Sequence, residues 1–261
     1  MHEKLINKIQ SMPKYKALNI PTETIESLIQ ICAPISKNST DLEKRVREKI
    51  HNITALYLGD LDYAKATADF RGLKSEEEIK NFALQNLNFH ASTKERGQDL
   101  EPLYAQLFAE IGQPNSIADL ACGLHPLGIP FMNLPKSTTY HAYDLHKTRT
   151  EFLHIYITEL GHPGGCFHQD ILTSPPQSHF CVAFFFKEAH RFEKRQPGST
   201  CQLLDGISAT KKIVSLPLQS LGTASGLSPI YEQTLRSYAE ERSCSFDHFT
   251  HGNEIFYIVT H

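Results

Sequence analysis

No stretch of this 261-residue sequence approaches the roughly 18–20 consecutive apolar residues that a membrane-spanning helix needs. The lysine-bearing N-terminus, MHEKLINKIQSMPKYK, has no apolar signal core either. A soluble, cytoplasmic protein is expected. The six cysteines, Cys32, Cys122, Cys166, Cys181, Cys201 and Cys244, are scattered, and no two stand in a CxxC pair. Free thiols are therefore expected rather than a disulfide scaffold or a zinc ribbon. The pairs His141/His146 and His248/His251 come without a third ligand in register, so no metal is expected. Internal repeats and low-complexity segments are also missing. A net charge of −3 argues against a uniformly basic nucleic-acid binder. Clustering matters more than the sum, because phosphate binding responds to the local field. Bases bunch as Lys4, Lys8, Lys14 and Lys16, and again as Lys44, Arg45, Arg47 and Lys49. On charge alone these clusters read as solvated helix faces.

What is present is enough for a sizeable core, with 40% hydrophobic residues and a length suited to two modest domains. Residues 1–100 read as helical throughout. LINKIQSM, TETIESLIQICAPI, TDLEKRVREKIHNITALYL, DYAKATADF and SEEEIKNFALQNL carry apolar positions at helical spacing. Pro21-Thr22, Ser39-Thr40-Asp41 and Ser75 before three glutamates are helix starts. From residue 101 strands alternate with helices. SIADLAC, TTYHAYDL, GCFHQDI, HFCVAFFF and KKIVSLPL are strand candidates, and CSFDHFTHGNEIFYIVTH reads as a terminal hairpin. The expected fold is α/β. A mostly parallel seven-stranded sheet (101–261), closed by an antiparallel hairpin, follows an all-helical domain (1–100).

Ligands of such sheets sit at the carboxyl ends of the strands. Those ends are Asp119 to Gly123, Asp144, Asp170 and Phe186-Lys187. The turn A-C-G-L-H-P-L-G is not the G-x-G-x-x-G of a dinucleotide site, and no G-K-[ST] marks a P-loop. Three acids at successive strand ends suit a nucleoside without phosphates. Asp144 suits ribose hydroxyls, and Asp170 suits an exocyclic adenine amine. S-adenosylmethionine meets these demands.

The motifs HASTKERG (90–97), ADLACGLHPLG (118–128), YHAYDL (140–145) and QDIL (169–172) go further. So do FFFK with the following E-K-R-Q (184–196) and IVSLPLQSLG (213–222). Together they cover most of the chain. They resemble the aminoglycoside-resistance 16S rRNA methyltransferases that modify N7 of a decoding-site guanine. The resemblance implies a Rossmann-like class I methyltransferase domain behind an N-terminal domain that docks on the 30S subunit. It implies that Arg96 grips the donor carboxylate and that Ala121 and Gly123 let backbone pass close to the methionine part. Asp119 belongs to the same donor turn. Asp144 would hold the ribose and Asp170 the adenine, with Ile171 packing on the ring. Lys187, Ser215 and Ser220 would lie near the incoming base as the catalytic set. The two basic clusters, Lys4 to Lys16 and Lys44 to Lys49, would touch rRNA phosphates.

After strand five the family carries basic residues where this chain has Leu218, Gln219, Thr223 and Ala224. A methyltransferase of another RNA or of a small molecule, and a non-catalytic donor-binding homologue, stay open on that ground. Guanine N7 has an exposed lone pair, so in-line positioning replaces a strong general base. The base must leave its stack, and Phe131 and Phe184 to Phe186 are candidate stacking partners. The enzyme is expected to act as a monomer. Asp144→Ala is expected to abolish donor binding while sparing the fold.

Overall fold

The computed structural model describes residues 2–16, 19–54, 61–89, 93, 96, 99–218 and 228–261. Helices come first: α1 (His2–Ser11), α2 (Pro13–Lys16), α3 (Thr22–Cys32) and α4 (Ser39–Thr54), then α5 (Tyr63–Gly72) and α6 (Glu76–Leu87). Of the expected starts, Ser75 is a side-chain cap, whereas Pro21 before α3 makes no such bond and Asn38, just ahead of Ser39, accepts from the Asp41 amide at the start of α4. Ser75 Oγ accepts from the Glu78 amide while the Glu78 carboxylate accepts from the Ser75 amide, a reciprocal capping box. Asp62 caps α5 in the simpler way, accepting from the Lys65 amide.

Helix α7 (Leu100–Ile111) leads into the sheet. Strands β1 (Ser116–Leu120), β2 (Thr139–Asp144), β3 (Gly164–His168), β4 (Phe180–Phe186) and β5 (Ala209–Pro217) run parallel. The hairpin of β6 (Ser245–His251) and β7 (Glu254–Thr260) closes one side, with β7 antiparallel to β5. The order is β3-β2-β1-β4-β5-β7-β6. The strand order reverses between β1 and β4, which places a crevice at their carboxyl ends. Helices α8 (Lys147–Glu159), α9 (Ala189–Arg195), α10 (Ser199–Gly206) and α11 (Ser228–Glu241) complete the chain. Helix α10 is not among the helices expected from the sequence. Gly198 enters it in the left-handed region. Residues 125–131, within and after the expected turn, form a 3₁₀ turn below β1.

Both faces of the sheet are buried, as parallel sheets require. Ile117, Tyr140, Phe184, Ile213 and Phe256 form one side, and Leu120, Phe185, Val214 and Tyr257 the other. The cores do not divide at residue 100. Tyr63, Phe70, Phe82 and Leu87 of α5 and α6 belong to the first sheet face. A separate core holds Ile9, Ile25, Leu28, Ile29, Val46 and Ile50 of α1, α3 and α4. Periodicity reports that a helix has an apolar stripe, not what the stripe meets.

Among the described residues no helix is long and apolar enough to cross a membrane, and no group of three acids, cysteines or histidines could hold a metal ion. His146 Nδ1 instead accepts from the Arg149 amide as the cap of α8.

Candidate active site

A cleft of about 760 Å³ opens where β1 to β4 end, a volume within the range of small-molecule sites. Its floor is residues 119–123, Asp144, Asp170, Ile171 and Phe186. Lys49, Asn52, Ile53 and Phe89 line it from the N-terminal helices, and α9 contributes His190, Arg191, Phe192 and Lys194.

The β1 turn is wound tightly. Ala121 and Gly123 both lie in the left-handed region, at φ 51° and 54°. That conformation is natural for Gly123 and uncommon for alanine. It turns the Gly123 amide onto Asp144 Oδ2 at 3.0 Å. Beneath the turn, Asp119 Oδ2 accepts from Tyr140 Oη at 2.7 Å and lies 2.7 Å from His125 Nδ1. Tyr104 Oη lies 2.9 Å from His125 Nε2. Burial raises the Tyr104 hydroxyl, so it stays protonated within a buried chain that runs Tyr104, His125, Asp119, Tyr140. Gly128 makes room for this chain: a Cβ there would lie 2.6 Å from the Tyr104 oxygen.

The acids at the ends of β2 and β3 are each held by an arginine. Asp144 accepts from Arg149 Nη1 on both oxygens, at 3.1 and 3.2 Å, and from the amides of Gly123 and His146. Arg149 is itself buried and donates from Nε to Tyr63 Oη at 2.9 Å. Asp170 takes a bidentate pair from Arg195, with further donors in the Leu172 amide and the Thr24 hydroxyl. Charge-assisted bonds of this kind use nearly all the lone pairs a carboxylate offers.

A third pair gathers the remaining expected residues. Arg96 donates from Nε and Nη2 to the two oxygens of Glu254, at 2.9 and 2.7 Å, with Nη1 outside the pair. Its guanidinium lies 4.9 Å from the Phe186 ring centre. Ser215 Oγ donates to Glu254 Oε1 at 2.5 Å, and Lys187 Nζ lies 3.4 Å from Oε2. Burial alone would raise the Glu254 carboxyl; the Arg96, Lys187 and Ser215 contacts outweigh it and hold the group below its ordinary value. Arg96 lines the cleft. Lys187 and Ser215 lie behind it around Glu254 and are not among the lining residues. Both are expected near the incoming base, and here their side chains are engaged with Glu254. Ser220, with Gln219, Thr223 and Ala224, lies outside the described residues.

Of the basic clusters, Lys4, Lys16, Lys44 and Arg47 are exposed, and Lys8 pairs with Glu43 at 2.6 Å at the surface. Arg45 pairs with Asp41 along α4. The side chain of Lys14 lies outside the described residues. Lys49 departs from the expected role: its ammonium donates to the carbonyls of Lys194 and Arg195 at the end of α9. It closes a helix terminus instead of presenting charge to solvent. The expected stacking rings are also mostly core. Phe131, Phe184 and Phe185 are buried, and Phe186 alone of that set lines the cleft. Phe89, 54% exposed, is the aromatic at the opening.

Several site residues escape sequence reasoning. Glu254 reads as part of a hairpin turn, and Thr24 as an ordinary helix start. Arg149 carries a weak signal, an arginine in the first turn of the helix that follows Asp144.

The model of a family described as Ribosomal RNA methyltransferase (FmrO) matches residues 12–258, almost the whole chain. The chain belongs to the FmrO ribosomal RNA methyltransferase family. Among its relatives is a 16S rRNA (guanine(1405)-N(7))-methyltransferase of Micromonospora rosea. That protein is 30% identical over 226 residues, covering 84% of this chain and 82% of its own length. The structure of the 16S rRNA methylase RmtB shares the fold, with a TM-score of 0.77 over 100% of this chain and 98% of that one, at 22% identity. The 16S rRNA methyltransferase RmtF, solved with S-adenosyl-L-homocysteine, gives a TM-score of 0.73 at 23% identity, covering 99% and 97%. The match to the FmrO family thus extends over the helical region as well as the sheet. Its span includes Lys49, Asp144 and Asp170, which line the cleft, and Thr24 and Glu254, which hold Asp170 and Arg96 from behind.

Proposed function

We propose that the chain methylates N7 of a guanine of 16S rRNA within the 30S subunit, using S-adenosylmethionine. The observation that carries this reading is the cleft at the switch point, walled on one side by the sheet and on the other by the N-terminal helices. The residues fit the donor: the cleft has the volume, two strand-end acids, and apolar surface from Ile171, Leu145 and Phe186. The donor supplies an activated methyl group on sulfur.

The chain's own residues bind and orient. The left-handed turn at Ala121 and Gly123 brings backbone, without bulky side chains, to the methionine portion. Asp144 takes the ribose hydroxyls by exchanging the Arg149 bonds for theirs, one charge-assisted set for another. Arg96 keeps its Nη1 for a carboxylate while Glu254 fixes the other side of the guanidinium. Asp170 acts through the walls, joining α3 and α9 over the adenine pocket, with Ile171 beneath. Lys187, Ser215 and Glu254 serve as the support that aims Arg96. Because guanine N7 needs no deprotonation, the rate rests on alignment, and Phe89 offers the face on which an extruded base can stack.

The docking unit is residues 1 to about 54, which own a separate core and an exposed basic surface, whereas α5 and α6 belong to the catalytic body. The deciding experiment is transfer of labelled methyl from the donor to purified 30S subunits, with naked 16S rRNA and 50S subunits in parallel. The product is mapped by cleavage at 7-methylguanine. Label at one guanine of 30S is expected. Label only on naked RNA or on 50S would reassign the substrate, and no label despite donor binding would remove the activity.

A further inference from the structure

Strand β4 ends at Phe186, and the next residue, Lys187, sits at φ 59°. A lysine in the left-handed region is strained and persists where the surroundings fix it. Here the Lys187 amide donates to the Ser215 carbonyl at 3.0 Å, and its ammonium faces Glu254. The turn carries Glu188 to the cleft wall.

Glu188 differs from the other cleft acids at strand ends. Asp144 and Asp170 each accept four or more bonds from the chain's own donors. Glu188 has one, from Arg191 Nη1 to Oε1 at 2.5 Å, and among the described residues Oε2 has no donor. Its side chain is 18% exposed and that of Arg191 37%. Burial pushes the carboxyl up to about 7 against the pull of Arg191, with Asp144 adding to the rise and Arg149 subtracting. A half-buried carboxylate on the cleft wall, with one oxygen that no donor of the described residues takes, is placed to accept from a ligand that brings donors.

Guanine brings them in a matching pattern. Its Watson–Crick edge presents two adjacent donors, N1–H and the N2 amino group, and beside them the O6 acceptor. An ionised carboxylate is acceptor-only and a guanidinium donor-only. We infer that Glu188 and Arg191 read the Watson–Crick edge of the target guanine, Glu188 accepting from N1–H and N2–H and Arg191 donating to O6. N7 lies on the opposite edge and stays free for the methyl group. Adenine offers an acceptor at N1 and is rejected by the same carboxylate. Phe89 opens on the same cleft, where a ring held by its edge can be covered. This assignment rests on the proposed guanine-N7 activity and names how that site selects its base.

The test uses the full-length protein and 30S subunits reconstituted with guanine or inosine, which lacks the N2 amino group, at the methylated position. The wild type is expected to prefer guanine by about tenfold, the scale of one good base contact. Glu188→Gln, which replaces one acceptor by a donor, is expected to lower kcat/KM on guanine subunits by roughly 10- to 100-fold and to bring the guanine-to-inosine ratio close to one. Donor affinity by calorimetry stays within about twofold. Glu188→Asp keeps a carboxylate and should retain part of the preference. An unchanged guanine-to-inosine ratio in Glu188→Gln overturns the assignment. So does a loss of donor affinity that matches the loss of activity, since Glu188 would then be supporting Asp144. Absence of wild-type transfer to any guanine is a separate result, and it removes the underlying activity together with this reading.

Discussion

Two helical regions precede the sheet, and they do different work. Helices α1 to α4 enclose their own core around Leu28 and Ile29, whereas α5 and α6 put Phe70 and Phe82 against Tyr156 of the catalytic body. Both regions look alike in their helical periodicity. The difference lies in what covers the apolar stripe. One region encloses its own core, and the other is the outer layer of the sheet. The largest expected effect breaks this comparison directly. Phe70→Ala opens the sheet-side core and should cost about 3–5 kcal/mol in the main unfolding transition. Leu28→Ala should cost about 2–5 kcal/mol in the bundle alone. Calorimetry with donor binding as a second probe separates them. If both variants lower one shared transition equally, the two cores fold as a single unit and the distinction is lost.

Much of the sheet was legible in the sequence because strand ends announce themselves. SIADLAC, YHAYDL and QDIL place Asp119, Asp144 and Asp170 at the crevice, and alternation of strand and helix predicts the parallel order. What was not legible is which partner each charged group finds. Arg96 and Asp144 look like groups awaiting a ligand, but Glu254 and Arg149 hold them, and those partners lie 158 and 5 positions away. A contact across 158 residues leaves no local pattern. The partners of Lys49 were hidden for a related reason. Its place in a basic cluster suggests phosphate, while the nearby end of α9 offers two carbonyls that only the tertiary fold brings within reach.

The same partners change how the donor site should be tested, the next largest effect. Asp144→Ala is not a clean probe, because it strands the buried Arg149 charge, and removing one member of a buried pair costs about 3–5 kcal/mol. Asp144→Asn keeps the shape and one acceptor. It should weaken donor binding by roughly 10- to 100-fold, the value of charge-assisted bonds at about 1.5–3 kcal/mol, with a smaller change in melting. Unaltered donor affinity in calorimetry would remove Asp144 from the ribose site.

Thr24 joins the first helical region to a cleft acid, and its hydroxyl can be deleted without changing shape. Thr24→Val removes the hydroxyl that α3 donates to Asp170, leaving Arg195 in place. A loss of about 1–2 kcal/mol is expected, seen as a lower bundle transition and a modest rise in donor Kd. A change in the bundle with no change in donor Kd would mean that Asp170 supports the wall without influencing the pocket.

The smallest expected effect concerns the surface that only the first region owns. Arg47 is exposed and lies 3.8 Å from Glu43, and Arg45 pairs with Asp41 at 3.1 Å, both along α4. Such pairs contribute about 0–1 kcal/mol, so reversing the charges of Arg45 and Arg47 to glutamate should leave melting nearly unchanged. Phosphate contacts are different, since each releases counterions on binding. The double variant should weaken 30S binding by roughly three- to tenfold at moderate salt and flatten its salt dependence, with donor affinity intact. Lys49→Ala supplies the contrast, because that ammonium faces α9: it should affect donor binding and leave the salt slope alone. If the double reversal shifts neither 30S affinity nor the slope, α4 is a solvated face and the docking charge lies elsewhere on the bundle. If Lys49→Ala flattens the slope as much as the reversal does, Lys49 leaves α9 when RNA arrives.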